Sequence, residues 1–260
     1  ELGRVITPYG TYMNNTSPQY GTAGFNDQWT HTWTFDVTDF AHLLQGDSLQ
    51  IEAFFAGYDG ALGFTCTLDF AFIEGTPPRR VLDVQNLYYG SYGYTTATDF
   101  ETTQYVAKNF TLPLGTKHSK LRYLLSGHGI DNNGCGEFCE RKYYVKVNGA
   151  IKHERLAWRD DCGDLAIFPQ GGTWIFNRGN WCPGDKVYVD EWPITGPDYN
   201  SNAVSVDIDL EAWDSDGGTP SYITYAALVT YEDFNFVNDA AMEVIKAPSN
   251  DENFQRLNPT

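Results

Sequence analysis

Glu137 stands between two cysteines, Cys135 and Cys139, near the end of the run Ser-Gly-His-Gly-Ile-Asp-Asn-Asn-Gly-Cys-Gly-Glu-Phe-Cys-Glu-Arg that fills positions 126–141. A carboxylate held in a fixed direction can accept hydrogen bonds from hydroxyl groups or help position a water. The residues before it are glycines, a histidine and amides rather than core formers, which suits a loop built to hold side chains in place. If Cys135 and Cys139 are bridged, the ring is so short that loop entropy gives about 2 kcal/mol, against about 3.3 kcal/mol for a ring closed by Cys162 and Cys182. The small ring therefore acts locally, on the direction of Glu137 and on the ring of Phe138.

The elements that must position this loop read as strands. Residues 33–40, 49–55 and 64–73 alternate apolar and polar side chains at strand period, and only 39–45 reads as a turn of helix. The stretch Gly-Thr-Pro-Pro-Arg-Arg-Val at 75–81 breaks the pattern, since proline cannot sit in a central strand, and marks a domain boundary. Strand text resumes at 87–94, 104–112, 120–125, 143–148, 186–189, 203–211 and 222–231. Many short strands between Gly, Pro and Asn turns, with little helical periodicity, are the signature of an all-β sandwich. After Tyr231 the polar text of 235–260 reads as a linker or tail towards a further domain.

A chain of 260 residues with 15% aromatic content can bury roughly 70–75% of its unfolded surface. The net charge of -17 excludes nucleic acid as a partner, because phosphate contacts need clustered Lys and Arg. No apolar run is long enough to span a bilayer with a helix. Five cysteines, four of them in one local and one medium-range pair, fit two bridges in a secreted, periplasmic or cell-surface protein better than a metal cluster. Cys66 is left over; its alternating surroundings point to a buried thiol, with a cysteine partner in another segment as the alternative. The five histidines are scattered without a His-Xaa-His pair, and Asp-Ser-Asp-Gly-Gly at 214–218 lacks the later glutamate of a calcium loop, so neither a metal nor another cofactor is expected.

Six places resemble the peptide N-glycosidase F type amidases, which cut the bond between an asparagine side chain and its N-linked glycan. They are Gly-Arg-Val-Ile-Thr-Pro-Tyr at 3–9, Asp-Val-Thr-Asp-Phe at 36–40, Glu-Gly-Thr-Pro-Pro at 74–78, Ser-Gly-His-Gly at 126–129, Cys-Gly-Glu-Phe-Cys-Glu-Arg at 135–141 and Asn-Arg-Gly-Asn-Trp-Cys-Pro-Gly at 177–184. The resemblance implies two antiparallel jelly-roll β-sandwiches packed side by side, the first incomplete in this chain, with the site at their interface. The domains are then 1–80, an incomplete N-terminal jelly roll, and 81–234, a C-terminal jelly roll, with the tail after them.

Three acids matter in that family. The principal one belongs to an Asp-Glu-Trp-Asp-Arg run that aligns upstream of residue 1. The second aligns with Phe54; Glu52, two residues earlier and on the same strand face, would replace it after a shift of register. The third matches Glu137 without gaps and is implied to bind and orient substrate. Arg178 matches an arginine four residues before the cysteine of Trp-Cys-Pro-Gly, with pairing to an acid such as Asp161 as its structural alternative. His128 replaces a tryptophan that stacks near the substrate, and Trp181 and Trp174 are candidates for a sugar platform or for the core. Two readings stay open: an amidase acting on N-linked glycoproteins, for which this chain alone lacks the principal acid, or a non-catalytic glycan-binding, adhesive or structural domain of a larger extracellular bacterial polypeptide or assembly.

Overall fold

The computed structural model describes residues 1–10, 29–46, 48–56, 64–93 and 96–237. Among the described residues, eight strands form two antiparallel sheets. Strands β1 (Arg79–Gly93), β3 (His118–His128), β6 (Asp190–Ile194) and β8 (Ser221–Phe234) lie in the order β1-β8-β3-β6. Strands β2 (Lys108–Thr111), β4 (Lys142–Val147), β5 (Ala150–Leu156) and β7 (Ala203–Leu210) lie in the order β2-β7-β4-β5. The fold is all-β and antiparallel, a jelly-roll sandwich, as the sequence implies.

Between the sheets, Leu121, Tyr123 and Leu125 of β3 and Ala226 and Leu228 of β8 meet Tyr143, Val145 and Val147 of β4 and Val204, Val206 and Ile208 of β7. Strand β7 alternates buried and half-buried residues along its length, because one of its faces is wet. The middle of β3 is buried without alternation. Its second face is covered by the N-terminal residues: Leu124, Tyr225 and Ala227 pack with Phe40, Leu2, Val37 and Leu44. Phe40 closes a 3-10 turn, Thr38–Phe40, that runs into the short helix α1 (Ala41–Leu44). Charges fasten that turn to the sheet, since Asp39 accepts from the Tyr231 hydroxyl at 2.6 Å and pairs with Lys120 at 2.9 Å.

Several strand bounds differ from the sequence reading for identifiable reasons. The stretch 186–189 makes only one isolated bridge, Val5 with Lys186, and the sheet strand β6 begins later, at Asp190. The strand expected at 104–112 begins later, at Lys108, after a wide π turn, Phe100–Gln104, that follows the single helical turn α2 (Ala97–Asp99). Strand β5 was not expected, because its side chains are mostly exposed and carry little alternation. It follows an Asn148-Gly149 turn with φ of 51° and 80°, the positive pair of a two-residue hairpin.

No ladder joins the expected strands at 33–40, 49–55 and 64–73 among the described residues, and the first of them ends in the 3-10 turn Thr38–Phe40. The stretches 49–55 and 64–73 are exposed throughout, and Phe54 is 90% accessible. Cys66 is likewise exposed rather than buried, because no second layer covers that stretch among the described residues. The expected linker lies outside the described residues from 238 onward. The contrast between layers predicts stability effects: Leu121→Ala, at a fully buried position, should cost about 2–5 kcal/mol in urea unfolding. The same truncation at the exposed Leu68 should stay within about 0.5 kcal/mol.

Candidate functional site

Three glycine-bearing segments cross beside the end of β3. Gly127 N donates to Gly179 O at 2.9 Å, Gly179 N to Glu137 O at 2.7 Å, and Glu137 N to Gly129 O at 3.0 Å. The backbones approach so closely that a Cβ on Gly127 would sit 2.2 Å from Gly136 O, and one on Gly179 would sit 3.0 Å from the same oxygen. The disulfide Cys135–Cys139 closes the small loop with a Cα separation of 4.7 Å, and Cys162–Cys182 is also formed. Asp131 completes the loop: its Oδ1 accepts from Asn133 N at 2.9 Å and Cys135 N at 2.8 Å, and its Oδ2 accepts from Asp216 N at 3.4 Å. Burial pushes the Asp131 carboxyl up, but the Cys135, Asp216 and Asn133 amides outweigh it and hold the pKa below its usual value.

Within this frame Arg178 donates through Nη1 to Glu137 Oε1 at 2.9 Å. The guanidinium is wholly buried, while the Glu137 side chain keeps 15% exposure. Arg178 Nε donates to Phe176 O at 3.0 Å, Nη1 also reaches the Tyr9 hydroxyl at 3.3 Å, and Nη2 donates to Thr173 O. Three rings surround the cation, with Trp181 at 4.6 Å, Phe138 at 5.1 Å and Tyr9 at 5.6 Å from its central carbon. Burial raises the Glu137 pKa, and the Arg178 charge opposes that rise without cancelling it. Glu137 Oε2 has no partner among the described residues. The arrangement can therefore accept a hydrogen bond from a hydroxyl or amide at a carboxylate whose other oxygen is fixed.

His128 stacks on Trp181 with ring centroids 4.9 Å apart, and its Nε2 lies 2.8 Å from Ser126 Oγ. That hydroxyl also accepts from Arg4 Nη1 at 2.9 Å. Burial first, and then the charges of Arg4 and Arg178, lower the His128 pKa to about 4, so the imidazole is neutral at physiological pH. Trp181 is only 3% exposed and donates its indole N–H to Gly127 O. It packs His128 and Arg178 together and has little face left for a sugar. Trp174 is buried as well.

Glu137, Arg178, His128 and Trp181 thus form one cluster, whereas Glu52 does not join it. Glu52 lies in the exposed stretch, where its Oε1 accepts from Gln50 at 2.9 Å. Asp161 does not pair with Arg178 either; it holds Arg159 at 2.6 and 2.9 Å. Sequence reasoning did not single out Arg4 and Tyr9, although both belong to the matched stretch at 3–9. That stretch runs antiparallel to 184–187, with Gly184 N donating to Ile6 O at 2.9 Å and Val187 N to Arg4 O at 2.8 Å. It thereby delivers the Tyr9 hydroxyl to the buried cation.

An antiparallel jelly-roll sandwich with a disulfide-ringed carboxylate at the end of a central strand defines a class of domain. Residues 94–229 match the family described as Peptide-N-glycosidase F, C terminal, and the chain belongs to that family. No curated protein matches the sequence. Among solved structures, recombinant peptide:N-glycanase F is similar with a TM-score of 0.54 and 20% identity over 62% of this chain and 55% of that one. PNGase F, a glycosylasparaginase from Flavobacterium meningosepticum, gives a TM-score of 0.54 and 22% identity over the same shares. A peptide-N(4)-(N-acetyl-β-D-glucosaminyl) asparagine amidase gives 0.53 and 22%, again over 62% and 55%. At these identities the likeness is one of fold, and this chain spans about half the length of those proteins.

The glycine crossing predicts a local failure. Gly127→Ala should cost about 1–3 kcal/mol by overpacking, and hydrogen exchange at the amides of 135–139 should rise with it. Unchanged protection there would show that the crossing does not hold the loop.

Proposed function

We propose that this chain is a glycan-recognition module of the N-glycanase lineage, in which Glu137 accepts hydrogen bonds from an N-linked sugar and Arg178 fixes that carboxylate. The observation that supports it is the open Glu137 Oε2 on a carboxylate whose Oε1 is held by a wholly buried guanidinium. A fixed acceptor has already lost the freedom that binding would otherwise remove. The exposed ring of Phe176 and the half-buried ring of Phe138, edge to face at 6.3 Å, offer apolar walls beside it. Tyr9 and His128 are positioning residues, acting through Arg178 and Trp181. Two disulfides suit an oxidising compartment, and hence a secreted or cell-surface bacterial setting, with other parts of a larger polypeptide or assembly as partners.

Amide hydrolysis asks for more than this cluster offers. A carboxylate that is ion-paired to arginine binds and orients; a second group has to activate water or protonate the leaving nitrogen. Phe54 stands at the position that aligns with the family's second acid, and Glu52 is engaged elsewhere in an exposed stretch. Turnover would therefore need an acid beyond those that this cluster brings together.

Calorimetry with a soluble N-acetylglucosaminyl-asparagine glycopeptide tests the reading. Binding should be measurable, and Glu137→Gln, which keeps shape while removing the charge, should weaken it by about tenfold or more. No binding by the unaltered protein, or full binding by the variant, would defeat the recognition role. Release of free glycan, read by mass spectrometry, would replace it with the amidase reading.

A further inference from the structure

Away from the cluster, the π turn holds a carboxylate against the open side of β7. In that turn Tyr105 N donates to Phe100 O at 2.8 Å, five residues back, so that both rings enter the core, 4.4 Å apart and fully buried. Glu101 follows Phe100 and faces β7. Strand β2 pairs with β7 only as far as Val206, so beyond that residue β7 has no strand neighbour on the β2 side. Glu101 Oε1 fills the place of one by accepting from Leu210 N at 2.8 Å. This bond joins the turn to the sheet that it covers.

The surroundings of that bond are acidic. Asp207 and Asp209 project from β7 beside it, at alternate positions and so from one face. Lys146 of β4 is bonded to Asp209, and the Tyr88 hydroxyl of β1 lies 3.2 Å from Asp207 Oδ1. Lys108 of β2 is turned elsewhere and donates to Asn86 O. Three carboxylates therefore share one lysine in a half-buried space.

We propose that Glu101 is a proton-operated latch: protonated, it lets the 97–105 turn close over the sandwich core, and ionised among Asp207 and Asp209 it loosens that turn. Burial pushes the Glu101 carboxyl up to about 7, and the Asp209 and Asp207 charges add to the rise; the Leu210 amide and Lys146 oppose it only in part. Because the folded state holds this proton more tightly than the unfolded chain, the contribution favours folding less as pH rises. The loss accrues between the ordinary value of 4.5 and about 7, and is complete above that window. Release of the turn would uncover Phe100 and Tyr105 and would loosen Trp213, whose carbonyl accepts from Ala97 N at 3.3 Å. None of this depends on a glycan being bound.

Thermal unfolding of the full chain between pH 5 and pH 8, compared with Glu101→Gln, tests the latch. The glutamine is neutral throughout, so the melting temperature of the variant should gain on that of the parent as pH rises, by about 2 °C or more across the range. Hydrogen exchange, corrected for its intrinsic pH dependence, should show protection of amides 97–105 falling with pH in the parent and staying level in the variant. A gap that stays constant with pH, with parallel exchange profiles, would overturn the proposal. Asp207→Asn gives a second handle if the first variant folds poorly: removing one neighbouring charge should move the transition to lower pH. An unmoved transition in that variant would count equally against the latch.

Discussion

The close approach of three backbones at Gly127, Gly136 and Gly179 is the constraint on which the rest of the site depends. Each segment satisfies its neighbour's peptide groups, so the loop bearing Glu137 is held by Gly129 O and Gly179 N before any side chain acts. Only glycine admits such contacts, because a Cβ would meet a carbonyl oxygen at 2.2 to 3.0 Å on Gly127 and Gly179. The disulfide is secondary to this. Its ring is too small to contribute much through loop entropy, and its effect is to keep residues 135–139 from relaxing away from the crossing.

Given that frame, burying Arg178 becomes tolerable. A guanidinium removed from water costs several kcal/mol unless hydrogen bonds and a counter-charge replace its hydration. Here Glu137, Phe176 O, Thr173 O and the Tyr9 hydroxyl supply the bonds, and three aromatic faces supply the rest. The cation in turn restrains Glu137, whose burial would otherwise favour the neutral acid still more. Tyr9 ties this balance to the N-terminal stretch, which lies along 184–187 and whose neighbours cover the second face of β3 and β8. The N-terminal residues therefore stabilise the sandwich and the site together, even though the stretches at 49–55 and 64–73 remain uncovered.

Much of this was readable from the residues, and the failures have physical causes. Alternation located β7 and β4 because each has one wet face, and the two cysteine pairs announced their bridges by spacing. The matched motifs pointed to segments that do meet in space. Strand β5 escaped because an edge strand has no strong pattern, although Asn148-Gly149 carries the signal of a tight hairpin. The stretch 186–189 looked like a sheet strand because it does pair, but with the N-terminal segment rather than within a sheet. Cys66 was misplaced by the same logic: an alternating run predicts burial only where a second layer exists to bury it. The partner of Arg178 could not be chosen by sequence proximity. Asp161 is nearer along the chain, but the bridge between Arg159 and Arg178 gives Asp161 to Arg159 instead.

The charge arrangement also separates binding from cleavage. A carboxylate intended as a general base works best with a pKa near the working pH and without a tight cationic partner. Glu137 has the burial that raises it and the arginine that pulls it back in part, which leaves an acceptor fixed in direction. Burial first, and then the charges of Arg4 and Arg178, lower the His128 pKa to about 4 and make it a weak base, and its ring is stacked on Trp181. These features support the recognition role proposed for the cluster. Chemistry at an amide would require a group free to change its state, and it would have to stand across from Glu137 Oε2, the one open acceptor of the pair.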